Sequence, residues 1–262
     1  MKAFNYHSAK SVKEATKLAS SGSAYLSGGM TMIPSMKMRL ASYKDVIDVK
    51  HIKELQGIKV SGKSVTIGAA TKHSDVANSK EVQKSILSLS SLAGRIGDVQ
   101  VRNRGTIGGS IANNDPTACY PAACLALNAI IHTSARKIEA DKFFKGMFET
   151  ALKKGELITS VEFSIPEKSY YFKFPNPASR YAMVGVFVAK FKSGVQVAVT
   201  GAQSSVYRET AIEKALDKNF SASALDGVSI DSSELNSDIH ASAEYRASLI
   251  LSSAKQAVAH CK

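Results

Sequence analysis

Short apolar runs of two different periods alternate along the first 165 residues, broken by glycine-rich turns, and this mixture predicts an α+β chain. Val12, Ala15, Leu18 and Ala19 share one helical face, and Ser11-Val-Lys-Glu14 ahead of them is a capping box, so a helix is expected over about 12–20. Ala24 to Leu26 reads as a strand ending in Ser27-Gly28-Gly29, and Val46 to Val49 as another; together they make a small lobe of about 55 residues. Ile58 and Val60, then Val65 and Ile67, alternate on either side of Ser61-Gly62-Lys63, the pattern of a β-hairpin. Helices are expected near Val76, over Glu81 to Ala93 and over Ala122 to Ala129, with Pro121 near a helix start where its missing N–H costs nothing. Ile130 to His132, Lys137 to Glu139 and Leu157 to Ile165 read as strands, and Pro166 closes the lobe.

Phe174-Pro-Asn-Pro177 predicts an extended connector, because proline fixes φ at two positions. In the part that follows, Val184, Val186 and Val188 and then Val195, Val197 and Val199 alternate around Lys192-Ser-Gly194, a second hairpin. Helices should follow at about Glu209 to Leu216 and Ala241 to Ala259. The division expected is 1–166, with subdomains of about 1–55 and 56–166, and then 167–262.

Composition adds three constraints. The formal charge is +12, and residues 1–165 carry 23 Lys and Arg against 13 Asp and Glu, so an anionic partner belongs to the first part. Cys119, Cys124 and Cys261 form no CxxC and cannot supply four metal ligands, which places any metal redox centre on another chain. His7, His51, His73, His132, His240 and His260 are scattered without a metal or triad spacing, and no acid, base or nucleophile is expected. With no run of 18 apolar residues and no signal-peptide pattern, a cytoplasmic protein without a membrane span is expected.

Three glycine motifs compete. Gly57-Ile-Lys-Val-Ser-Gly62-Lys63-Ser64 satisfies the P-loop expression GxxxxGK(S/T), but Ile58 and Val60 alternate inside it and Ser-Val-Thr-Ile continues a strand where a helix must open. A solvent-facing hairpin turn is the better reading. Ser27-Gly-Gly-Met-Thr31 and Gly105-Thr-Ile-Gly-Gly-Ser110 can each expose successive backbone N–H groups, and two such loops suit a diphosphate better than one. They can also be two ordinary tight turns. Neither is GxGxxG, which disfavours a Rossmann crevice. Arg102 and Arg104 beside the second loop are candidates for cofactor or partner contact.

Tyr25-Leu-Ser-Gly-Gly-Met-Thr31, Val46-Ile-Asp-Val49, Thr66-Ile-Gly-Ala-Ala-Thr71 and above all Val101-Arg-Asn-Arg-Gly-Thr-Ile-Gly-Gly-Ser-Ile-Ala112 resemble the FAD-binding medium subunit of the molybdenum hydroxylases, the family of carbon monoxide and xanthine dehydrogenases. Asp141-Lys-Phe-Phe144 and Ser242-Ala-Glu-Tyr-Arg246 extend the resemblance over nearly the whole chain. It implies a two-subdomain FAD-binding fold of the vanillyl-alcohol-oxidase (PCMH) type, followed by a small C-terminal α+β domain with a three-stranded antiparallel sheet and helices. It also implies that Leu26, Ser27, Gly28, Gly29, Met30 and Thr31, with Thr106, Ile107, Gly108, Gly109 and Ser110, hold the diphosphate. Ile158, Lys173 and Tyr181 would then lie toward the isoalloxazine, and burial by Ile107, Leu157, Ile158 and Tyr181 would add to the phosphate contacts.

The chain departs from the family at Cys119, where relatives commonly have Asp, and at Met30, where the carbon monoxide enzymes have His. The function implied is electron transfer within a heteromer. FAD on this chain would take electrons from iron–sulfur clusters of the 2Fe–2S type on a small subunit, with the molybdenum cofactor on a large subunit, and pass them to NAD, a quinone or oxygen. A dimer of heterotrimers is the assembly implied. The rival readings are a basic adaptor for nucleic acid or protein, which would want aromatic residues interleaved with the basic ones, and a P-loop nucleotide-binding protein.

Overall fold

A computed structural model of the chain describes residues 1–261. Its first lobe is a three-stranded parallel sheet of order β1-β3-β2, built from β1 (Asn5–Ser8), α1 (Val12–Leu18), β2 (Ser23–Leu26), α2 (Met32–Lys37) and β3 (Asp45–Asp48). Ser11 accepts from the Glu14 N–H at 3.1 Å, the first half of the expected capping box, while the Glu14 carboxylate reaches one residue further back and accepts from the Lys10 N–H at 2.8 Å. The helix stops at Leu18, two residues before the expected end. Ala15, Ile47, Val49, Ile52 and Leu55 make the core under this sheet, and Leu157 from the next lobe joins it.

The middle lobe carries a five-stranded antiparallel sheet of order β4-β5-β10-β6-β7. The hairpin of β4 (Ile58–Ser61) and β5 (Ser64–Gly68) replaces the P-loop outright: no helix opens at Lys63, and Gly62 sits at φ +58° in the turn. Five helices follow: α3 (His73–Asn78), α4 (Lys80–Ser85), α5 (Leu87–Gly94), α6 (Val99–Arg102) and α7 (Ile107–Asn113). The single helix expected over Glu81–Ala93 is two, because Ile86 leaves helical geometry at φ −144° to turn its side chain into the core. The glycine-rich segment expected as an open loop starts α7, capped by the Thr106 hydroxyl. After α8 (Tyr120–Ala126) come β6 (Ile130–Thr133), β7 (Lys137–Glu139), α9 (Ala140–Phe143), the small hairpin β8 (Phe144–Gly146) and β9 (Glu149–Thr150), and β10 (Ile158–Ser164).

The third lobe has three long antiparallel strands, β11 (Lys168–Pro175), β12 (Ala182–Phe191) and β13 (Gly194–Thr200), extended by the two-residue β14 (Tyr207–Arg208). The connector expected at Phe174–Pro177 is in part the end of β11, since extended backbone suits a strand as well as a linker. On one face α10 (Thr210–Lys218) and α11 (Ala243–His260) bury Val184, Val186, Val188, Val195, Val197 and Val199. On the other, Tyr171, Phe187 and Ala198 join the middle lobe's core, so the sheet packs on both sides. Arg246 fixes the sheet to α11: its guanidinium donates to the carbonyls of Met183 (2.7 Å) and Gly201 (3.0 Å) and to the Asp238 carboxylate (2.7 Å). Replacing it strands two buried carbonyls, so Arg246→Met should lower unfolding stability by about 2–4 kcal/mol in denaturant titration; an unchanged midpoint would show that those carbonyls find other donors.

Candidate functional site

Residues of all three lobes line a cleft of about 740 Å³, within the roughly 300–1,000 Å³ of pockets that take a whole small molecule. β2 ends at Leu26 and delivers Ser27–Thr31 to one wall. The start of α7 delivers Thr106, Gly108, Gly109 and Ser110 to the same wall. These loops touch. A Cβ on Gly28 would collide with the Arg104 carbonyl and lie 2.7 Å from the Gly105 Cα, so only glycine permits the approach. Ser27 Oγ and Thr106 Oγ1 lie 3.0 Å apart and join the loops side chain to side chain.

Their donors differ from expectation. In the first loop the N–H groups of Gly28, Gly29, Met30 and Thr31 donate no hydrogen bond among the described residues. In the second loop the N–H groups after Thr106 are engaged: Ile107 donates to the Thr71 carbonyl (3.1 Å), Gly108 to that of Ala69 (2.9 Å), and Gly109 to Thr106 Oγ1 (3.2 Å). What this loop offers the cavity is hydroxyl groups and the bare Cα of Gly109. Ile107 is a correction: it does not line the cavity, and its side chain is fully buried in the middle core with Ile111 and Tyr120.

Leu26, Ser27, Gly28, Gly29, Met30, Thr31, Thr106, Gly108, Gly109, Ser110, Cys119, Ile158, Lys173 and Tyr181 all line the cavity. Lys173 is 4% exposed and gives one N–H to the Arg95 carbonyl at 3.1 Å. An ammonium has three N–H donors, so two remain for a ligand. Burial, then the neighbouring Asp115 and Cys119, pushes the Tyr181 phenol up and keeps it protonated. Arg102 serves the fold by donating to the carbonyls of Ile96 (3.0 Å) and Gly97 (3.1 Å), while the exposed Arg104 side chain lies outside this cavity.

Two buried polar lining residues were not proposed from the sequence as site residues. His73 was one of six scattered histidines, yet its N–H donates to the Gly105 carbonyl (3.0 Å) and its ring packs 5.4 Å from that of Tyr120, directly beneath the second loop. Burial, with some help from the Arg102 charge, pushes its pKa down to about 4. Glu156 would be raised by burial, but hydrogen bonds from Arg136, the Lys153 N–H and Thr133 outweigh this and bring it to about 2, fixing the turn that leads Leu157 and Ile158 into the cavity. The signal for His73 was only positional: it lies two residues after Thr71, in a stretch that pairs with the glycine segment through Lys72 and Thr106.

A cavity between lobes with free backbone donors on one loop and a buried cation among its lining residues is suited to an anionic ligand. The chain belongs to the family described as FAD binding domain in molybdopterin dehydrogenase, whose model matches residues 2–167. It is 33% identical over 276 residues to the carbon monoxide dehydrogenase medium chain of Hydrogenophaga pseudoflava, covering 97% of this chain and 96% of that one. It is 35% identical over 224 residues to the glyceraldehyde dehydrogenase medium chain of Sulfolobus acidocaldarius, covering 80% of each. Among solved structures, carbon monoxide dehydrogenase from Hydrogenophaga pseudoflava superposes with a TM-score of 0.89 at 32% identity, over 98% of this chain and 96% of that chain. Quinoline 2-oxidoreductase from Pseudomonas putida 86 gives 0.87 at 25% identity, over 99% and 97%. The chain is an FAD-binding oxidoreductase subunit of the molybdenum hydroxylase type, with electron transfer as its role.

The His73 environment sets a pH limit. The folded protein holds the imidazole neutral down to about 4, whereas the unfolded chain takes up a proton near 6.5, so stability is complete above pH 6.5 and falls as the pH drops toward 4. The loss amounts to about 3 kcal/mol at roughly 1.4 kcal/mol per unit. Thermal melts across this range should fall more steeply for wild type than for His73→Gln; parallel curves would mean that folding does not depress the His73 pKa.

Proposed function

We propose that FAD lies with its diphosphate between Ser27–Thr31 and Thr106–Ser110 and its isoalloxazine toward Ile158, Lys173 and Tyr181. The observation that carries this reading is the meeting of two glycine loops from separate lobes on one cavity wall, with four free N–H groups on the first loop. Those donors and the hydroxyls of Ser27, Thr31, Thr106 and Ser110 suit phosphate oxygens, each charge-assisted bond contributing about 1.5–3 kcal/mol. Leu157 and Ile158 supply an apolar wall, and the remaining donors of Lys173 suit the polar edge of the ring. Cys119 offers only a thiol at this end of the cavity.

Bound FAD converts electrons delivered singly into a pair released together, and the protein's task is to hold the ring in place and shape its surroundings. No residue here must act as acid, base or nucleophile. His73 is neutral at physiological pH and faces the second loop, a buttress more than a proton donor.

We place the chain in a heteromer, with iron–sulfur clusters on a small subunit and the molybdenum cofactor on a large one, assembled as a dimer of heterotrimers. The relatives' designation as medium chains supports the heteromer. NAD, a quinone or oxygen is the acceptor class. Three unpaired cysteines suit a reducing cytoplasm, and among the described residues no helix is long and apolar enough to cross a membrane. The cofactor-binding unit is assigned to 1–166 and a C-terminal unit to 167–262, in keeping with the family match to 2–167.

Gly109→Ala tests the site. The added Cβ would lie 3.0 Å from Thr106 Oγ1 at the cavity wall, in a helix that alanine favours. Its melting temperature should hold or rise while FAD affinity, read by quenching of flavin fluorescence, falls about tenfold or more, which is about 1.4 kcal/mol. Wild-type affinity in this variant would remove the second loop from the site.

A further inference from the structure

The β8–β9 hairpin ends in a two-residue turn, Met147-Phe148, between Gly146 and Glu149, which pair across it. Both side chains stand in solvent, Met147 55% and Phe148 58% exposed. Phe148 lies at φ +56°, the left-handed region that a bulky side chain rarely adopts and where glycine or asparagine would sit without strain. At 58% exposure the ring belongs to none of the buried hydrophobic clusters, so little burial inside the chain offsets that strain.

The turn is nevertheless held firmly. Asn114, buried at the C-cap of α7, donates from Nδ2 to the carbonyls of Gly146 and Glu149, both at 2.8 Å, and its own carbonyl accepts from the Phe148 N–H at 3.1 Å. Three hydrogen bonds therefore lock a conformation that displays an aromatic and a thioether side chain outward. A rigid, exposed apolar pair presented before binding is what a protein interface uses as an anchor, because little side-chain freedom is lost on docking. Lys145 on β8 and Lys153 and Lys154 after β9 are exposed and form no ion pair among the described residues, and against the single exposed Glu149 beside Phe148 they leave the flanks of the hairpin net basic.

We propose that Met147 and Phe148 are the anchor by which this chain docks into an apolar pocket with an acidic rim on a partner subunit of its complex. This rests on the heteromeric reading above. A second copy of this chain is a poor occupant, since each copy carries a net charge of +12 and would bring the same basic flanks.

The test compares wild type with Phe148→Gly, and with Met147→Ser as a second variant, each tagged and expressed in the native host with its complementary subunits. Phe148→Gly relieves the backbone while removing the anchor, so the isolated chain should melt no lower than wild type and retain FAD. Its affinity for the purified iron–sulfur and molybdenum subunits should fall about tenfold or more, with iron per FAD in the purified complex falling in step. Wild type should also lose affinity as salt screens the basic flanks. Assembly of Phe148→Gly at wild-type affinity overturns the proposal. Self-association, or sedimentation with phosphatidylserine vesicles, that requires Phe148 would give this surface to another occupant and overturn it as well. A chain that assembles through Phe148 but carries no flavin sinks the cofactor reading alone, whereas a flavin-loaded chain whose assembly ignores Phe148 sinks this one alone.

Discussion

Backbone meets backbone where the first and middle lobes join, and the rest of the site follows from that contact. Gly28 lies against the Arg104 carbonyl and the Gly105 Cα with no room for a side chain between them, and the Ser27 and Thr106 hydroxyls close the gap beside it at 3.0 Å. Such an approach requires β2 to end at Leu26, so that the next residues leave the sheet with their N–H groups unpaired. It also requires Thr106 to be held as the cap of α7. The bridge between Lys72 and Thr106 and the bond from the His73 N–H to the Gly105 carbonyl supply that restraint. The two loops are thus unequal: one carries four free backbone donors, and the other carries hydroxyls on a framework whose donors from Ile107 to Ser110 are already satisfied.

The third lobe completes the cavity from the opposite side. β11 brings Lys173 into a nearly dry position, where an uncompensated ammonium would be costly without an acceptor. The Arg95 carbonyl meets part of that need and a cofactor's polar edge can meet the remainder. Arg246 anchors the same sheet to α11 through carbonyls at Met183 and Gly201, close to the strand ends that border the cavity. Stability and binding therefore depend on the same few buried polar groups, and the cavity is shaped by elements distant in sequence.

Much of this was legible in the residues. Period-two alternation located the β4–β5 and β12–β13 hairpins, and the continuing β pattern after Lys63 separated a turn from a P-loop. Both glycine clusters were correctly expected to meet at one hollow. Other features depend on partners that a local pattern does not contain. Asn5–Ser8 is polar and mostly exposed, and becomes a strand only because β3 lies beside it. Ile86 interrupts a helix whose local sequence would continue, because the core takes its side chain. Ile107 reads like cofactor-facing apolar surface, but capping by Thr106 sets the helix phase that turns it inward. His73 acquires its role from a segment more than thirty residues away, whose carbonyl it meets only in the folded chain.

The joint clasp of one diphosphate by both loops is tested most directly by a double-mutant cycle on FAD dissociation constants, using Ser27→Ala, Thr106→Val and the pair. If the two hydroxyls act through the contact that joins them, each single change weakens binding and the double change costs less than the two together, leaving a coupling of about 0.5–3 kcal/mol. Strictly additive losses, or wild-type affinity in either single variant, would mean that the loops do not hold the cofactor as a unit.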